Sequence, residues 1–173
     1  MKNDILYYAL TELIFTICIG IILLYFTYKI IDRFIRIKYK ISNENVSYSI
    51  FLSAVIFSVA YLISDIKTPI LNSLRIIQEQ PEYTGYIIID GLKYTALFLI
   101  IIIASIVLIN FISIYLFTLM TKNIDEFGEI KKNNLAVAIL IAVIIIGISV
   151  IVKDSLYFLL DTFVPYPEIP KFE

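Results

Sequence analysis

Six polar residues stand inside or at the edges of long apolar runs: Asn45, Asn134, Asp65, Asp154, Asn110 and Glu12. Asn45 and Asn134 each open such a run. Their structural reading is a helix N-cap, the side-chain oxygen accepting from a backbone amide two or three residues on. Their functional reading is a ring of polar groups at the inner mouth of an oligomeric pore. Asp65 and Asp154 close the same two runs. A carboxylate at a helix C-terminus opposes the macrodipole, and Lys67 and Lys153 stand near enough in sequence to compensate. Asp154 is also placed to N-cap a following helix, and the pair together would make a cation-attracting outer ring.

Asn110 sits between Ile109 and Phe111, flanked on nearby faces by Ser105 and Ser113. An unpaired amide in hydrocarbon costs several kcal/mol, so it is expected to face protein or water. Interhelical hydrogen bonding and pore lining both satisfy it. Glu12 is an intramembrane carboxylate if the first span begins at Ile5, and an interfacial one if the span begins at Leu13.

The rest of the chemical inventory is thin. The chain has no histidine and no tryptophan, and its one cysteine, Cys18, lies in an apolar run. That removes the commonest general base, the commonest metal ligand and any intramolecular disulfide. No CxxC, phosphate loop or serine–base pair is recognisable. An enzyme acting on lipid is therefore disfavoured, and no cofactor or metal site is expected. Net charge is −1, which offers no electrostatic case for nucleic acid.

The elements that hold these residues follow from hydropathy. Of 173 residues 60% are hydrophobic, and the mean hydropathy of +0.91 lies far above that of soluble domains. Four runs are long enough to cross a bilayer: from Ile5 or Leu13 to Tyr28, Val46 to about Ser64, near Leu92 to near Met120, and Leu135 to about Val152. Helix is the only state that satisfies the backbone of such runs in lipid, despite the β-branched run at 100–103. The fold class expected is an all-α integral membrane protein in one domain. Asp4 and Glu12 interrupt the N-terminal segment and no small-x-small cleavage site follows it, so it reads as a retained helix.

Lys29, Arg33, Arg36, Lys38 and Lys40 lie between the first two spans, and Lys122, Lys131 and Lys132 between the last two. Their density predicts both short loops in the cytoplasm and both termini outside. These clusters also suit anionic lipid or an acidic soluble partner. In the longer outer connection, Thr68-Pro69 reads as the start of a short amphipathic surface helix carrying Ile70, Leu71, Leu74 and Ile77. Asp90-Gly91 reads as a turn. Leu156, Leu159, Leu160 and Phe163 predict a similar short helix after the fourth span, and the tail from 165 to 173 is expected to be extended.

The stretch 45–65 matches 134–154 at an offset of 89. This predicts two helix-hairpin repeats, about 5–80 and 90–165, with parallel topology. Ser49, Ser53 and Ala60 coincide with Ala138, Ala142 and Ser149, and Ser58 coincides with Gly147. Steps of four and seven share a helix face, so spans two and four are expected to pack tightly, against each other or across a subunit interface.

The segment 133–149, with the loop F-G-E-I-K-K (127–132) before it, resembles the repeat of the YjfL-like family, a domain of unknown function. Asn134, Ala136, Ala138 and Gly147 carry the resemblance; in the first repeat Ser47, Ser49 and Ser58 replace the small residues. The resemblance implies a small four-span protein of the bacterial inner membrane and brings no catalytic residues. Two functions are carried forward. One is a non-enzymatic homo-oligomeric anchor that recruits partner proteins. The other is an oligomeric ion channel or depolarising pore, which four helices could form only as several subunits.

Overall fold

The computed structural model describes residues 2–42, 44–79, 87–121 and 125–166. Among the described residues five helices follow one another: α1 (Lys2–Tyr39), α2 (Val46–Glu79), α3 (Ile87–Met120), α4 (Glu126–Lys131) and α5 (Leu135–Asp161). Among the described residues there is no strand. Four of the helices are long and apolar enough to cross a membrane. The chain is thus a multipass membrane protein by the length and composition of its helices.

The helices are longer than the apolar runs that nucleate them. At about 1.5 Å per residue, α1 is roughly 57 Å long and α2 and α3 roughly 51 Å. A bilayer is about 40–45 Å thick including its headgroups, so these helices carry ordered extensions or tilt strongly. Three expectations from sequence give way here. Thr68-Pro69 does not start a new helix, because α2 runs through Pro69 to Glu79. Pro69, Ile70 and Ile77 are buried and Leu71 and Leu74 half-buried, so this stretch packs on the bundle rather than lying on a membrane surface. Ser73 donates its hydroxyl to the Pro69 carbonyl across 2.9 Å. Asp90-Gly91 is not a turn but part of α3, where a Cβ on Gly91 would lie 3.2 Å from the Leu74 side chain of α2. Among the described residues no separate helix follows the fourth span either: α5 continues to Asp161 and buries Leu156 and Leu160, while Leu159 and Phe163 are exposed. Tertiary packing outweighs the local breaker signals in each case. Residues 167–173 of the expected extended tail lie outside the described residues.

The core runs along α2. Its buried side, including Phe51, Val55, Val59 and Leu62, meets Ile141 and Ile145 of α5 and Phe98, Ile102, Ile106 and Ile109 of α3 in one apolar cluster. The α2–α5 pair is the most extensive helix contact. At its centre Ser149 donates to the Ile145 carbonyl, which leaves its oxygen free to accept from Ser58 across the interface. Both serines are buried. By contrast α1 is the least buried of the four long helices.

Candidate functional site

The polar residues converge at one end of the bundle, where α1 stops, α2 starts and the short α4 turns into α5. Asp125 caps α4, its carboxylate accepting from the Gly128 amide at 3.1 Å. Glycine at 128 lets the Asp125 carboxylate approach this closely, since a Cβ there would displace the capping side chain. At the other end of α4, the Asn134 amide donates to the Glu129 carbonyl (3.0 Å) and the Asn133 amide to the Ile130 carbonyl (2.9 Å). With Asn133 in the left-handed region (φ 65°), this is a Schellman closure with asparagine in the usual glycine place. Asn134 then caps α5, its side-chain oxygen accepting from the Val137 amide at 3.4 Å.

This closure is fastened to α2 from both directions. Asn45 accepts from the Tyr48 amide at 2.8 Å, which caps α2. Its amide nitrogen donates to the carbonyls of Ile130 (2.8 Å) and Lys131 (3.1 Å) at the end of α4. In return Asn133 accepts from the Ser47 amide at 2.9 Å. Asn45 is buried. Three asparagines thus satisfy helix-end groups on two segments far apart in sequence. Glu129 completes the turn, accepting from Asn134 (2.8 Å) and Lys132 (2.7 Å). The Asn134 hydrogen bond, and then the Lys132 ammonium, hold its carboxyl below the ordinary value. Lys132 is raised correspondingly by Glu129.

A second polar group braces α1 against the start of α2. Asp32 accepts from Arg36 Nε (2.8 Å) and from the Tyr48 hydroxyl (3.0 Å), and the Arg36 guanidinium lies 5.0 Å from the centre of the Tyr48 ring. Phe127 of α4 stacks on Tyr39 at 4.8 Å and meets Phe51 edge-on at 5.7 Å. Two buried oxygens here have no hydrogen-bond partner: Ser47 Oγ and Glu126 Oε1.

The other polar residues are scattered. Glu12 pairs with Arg75 of α2 at 3.0 Å, in an exposed contact far along α1 from the junction. Asp154 is exposed and lies inside α5, and position 65 lies inside α2, so neither is at a helix C-terminus and neither meets the dipole there. Asp154 therefore caps no following helix. The Asp65 side chain lies outside the described residues. Lys153 sits over the Tyr61 ring at 4.2 Å. Asn110 is buried in α3, but its amide donates to Ile106 of its own helix (2.8 Å), and its oxygen has no partner. Ser58 of α2 and Ser149 of α5, both buried, make an interhelical hydrogen bond instead.

The small-residue stripes part company. Ala138, Ala142 and Ser149 are buried, whereas Ser49, Ser53 and Ala60 lie on the exposed side of α2. Gly147 has open space where a Cβ would stand. The basic residues also differ from the expected loop. Lys29, Arg33, Arg36 and Lys38 belong to α1, which extends past Tyr28 to Tyr39, and only Lys40 (φ 51°) lies beyond the helix. Lys131 ends α4 and is exposed, Lys132 pairs with Glu129, and Lys122 lies outside the described residues.

Asp125, Glu129 and Asp32 also form part of this junction and are not among the candidates named from the sequence. An Asp before two acids, and consecutive asparagines before an apolar run, are the local signals that point to the α4–α5 caps. Among the described residues no group of three His, Cys, Asp or Glu side chains could hold a metal ion.

Residues 85–164, which contain α3, α4 and α5 nearly from end to end, match the family described as Domain of Unknown Function (DUF350). The matched segment is just under half of the chain. The closed turn with Asn133 and Asn134 falls inside this segment, while Asn45, which grips it, and Asp32, which braces α1 on α2, lie outside. No curated protein and no solved structure matches the chain.

Proposed function

We propose that this chain is a DUF350 protein, a non-enzymatic multipass protein of the bacterial inner membrane that works as an oligomeric anchor, presenting the α4–α5 turn to a soluble cytoplasmic partner. The observation that carries this reading is the double fastening of that turn by Asn45 and Asn133. A six-residue helix is too short to be stable by itself, so its order comes from these bonds. They hold a surface with Lys131, Lys132 and Asn133 exposed in a fixed arrangement. Orientation by the positive-inside rule puts that surface in the cytoplasm and both termini outside.

The alternative is an oligomeric conducting pore. It is favoured by one observation, the buried Asn110 oxygen that has no hydrogen-bond partner among the described residues. One experiment separates the two. Purified protein, shown to be folded and oligomeric, is reconstituted in liposomes and ion flux is recorded beside Asn110→Leu. The anchor reading expects flux no greater than in protein-free liposomes. Flux that Asn110→Leu alters would replace it with the pore. In cells, Lys131→Glu is expected to lose a cytoplasmic protein that co-purifies with the wild type, while leaving the protein's level in the membrane unchanged.

A further inference from the structure

We infer that the C-terminal third of α1 is a docking site for an anionic phospholipid in the leaflet at the α4 end of the bundle. Ile30, Phe34 and Ile37 follow steps of four and three and so share one helix face. They are exposed to 53%, 68% and 68%. Arg33 and Lys38 line the same shallow groove. On a helical projection each cation lies about 40° beyond an edge of the apolar stripe, one on either side. Neither enters an ion pair among the described residues, whereas the neighbouring Arg36 is held by Asp32. The Lys38 ammonium lies between the Phe34 ring (5.8 Å) and the Tyr39 ring (5.4 Å), at the edge of the groove. The groove therefore combines an apolar floor with two unneutralised cations.

Its depth fits a headgroup. The exposed Glu12–Arg75 pair marks the opposite boundary of the apolar zone on α1. From Glu12 to Arg33 the helix rises about 32 Å, close to the ~30 Å of a hydrocarbon core. Phe34 and Ile37 thus fall just beyond the acyl region, where two large side chains this exposed would otherwise meet water. A phospholipid resolves this. Its upper acyl and glycerol segments cover the stripe, and its phosphate sits between the cations. Zwitterionic lipid supplies the apolar cover but no net charge, so the site is expected to select anionic headgroups. This inference stands apart from the partner reading and needs neither the α4–α5 turn nor an oligomer.

The test is lipid exchange on the full chain in detergent, read by native mass spectrometry with an equimolar mixture of phosphatidylglycerol and phosphatidylcholine. The wild type is expected to retain phosphatidylglycerol preferentially. Arg33→Gln and Lys38→Gln should each lower that preference about fivefold, and the double variant about thirtyfold. Lys67→Gln, an exposed lysine on α2, should leave it unchanged. Phe34→Ser should weaken retention of both lipids. Equal retention of the two lipids by the wild type, or a preference that survives the double variant in protein with an unchanged helical spectrum, would overturn the site. So would binding of an acidic peptide at Arg33 and Lys38 without lipid preference.

Discussion

Asn45 does two jobs with one side chain, and they can be separated. Its oxygen caps α2 and its nitrogen holds the Ile130 and Lys131 carbonyls. Asn45→Ala removes both and is expected to cost about 2–3 kcal/mol, the cap plus the abandoned carbonyls. Asn134→Ala removes a longer cap bond and a partly exposed contact, and should cost about 1 kcal/mol. Asn45→Asp keeps the acceptor for Tyr48 but turns a carboxylate oxygen towards two carbonyls, so it should be at least as damaging as alanine. Thermal unfolding of the three variants in detergent checks the order. Glu129 gives a pH signature. Its folded carboxyl titrates below the ordinary 4.5, so its contribution is full above about pH 4.5. That contribution is lost as pH falls through the lower folded value. Melting temperature measured from pH 6 to 3 should fall less steeply in Glu129→Gln than in the wild type over that acid range.

At the scale of elements, the sequence marks where apolar runs begin better than where helices end. An asparagine before a run is a local signal, and the caps it makes at 45 and 134 are local bonds. Pro69 is a local signal too, but the burial of Ile70, Ser73 and Ile77 against the bundle carries α2 straight through it. The six residues of α4 are too few for periodicity to register, and the partners that order them lie 85 or more positions away. The exposed stripe at Ser49, Ser53 and Ala60 differs from its buried counterpart on α5 for the same reason: identity of residue type does not fix which neighbour a helix meets. Gly147 gives a direct measure. With space for a methyl group and a helical backbone, Gly147→Ala should stabilise α5 by roughly 0.5–1 kcal/mol, read as a raised melting temperature. A lower melting temperature would mean that a second copy packs closely on that glycine.

At the scale of the whole molecule, four apolar helices and their order were legible from hydropathy, because lipid leaves the backbone no other state. The grouping of the polar residues was not. Four of the six candidates divide into capping asparagines at one end, an exposed ion pair far along α1, and an amide half-satisfied inside α3, while Asp154 is exposed within α5 and the Asp65 side chain lies outside the described residues. Depth and partner decide their roles, and both are tertiary properties. The same geometry bears on how the protein is made. The carbonyls that Asn45 grips are encoded 85 residues after it. At 5–20 residues per second the ribosome takes roughly 4 to 17 s to deliver them. Through that interval the Asn45 amide has only water to bond at that end of the bundle, and the start of α2 lacks the brace that α4 supplies. A nascent chain stalled before α4 is therefore expected to be cleared faster than one stalled after it.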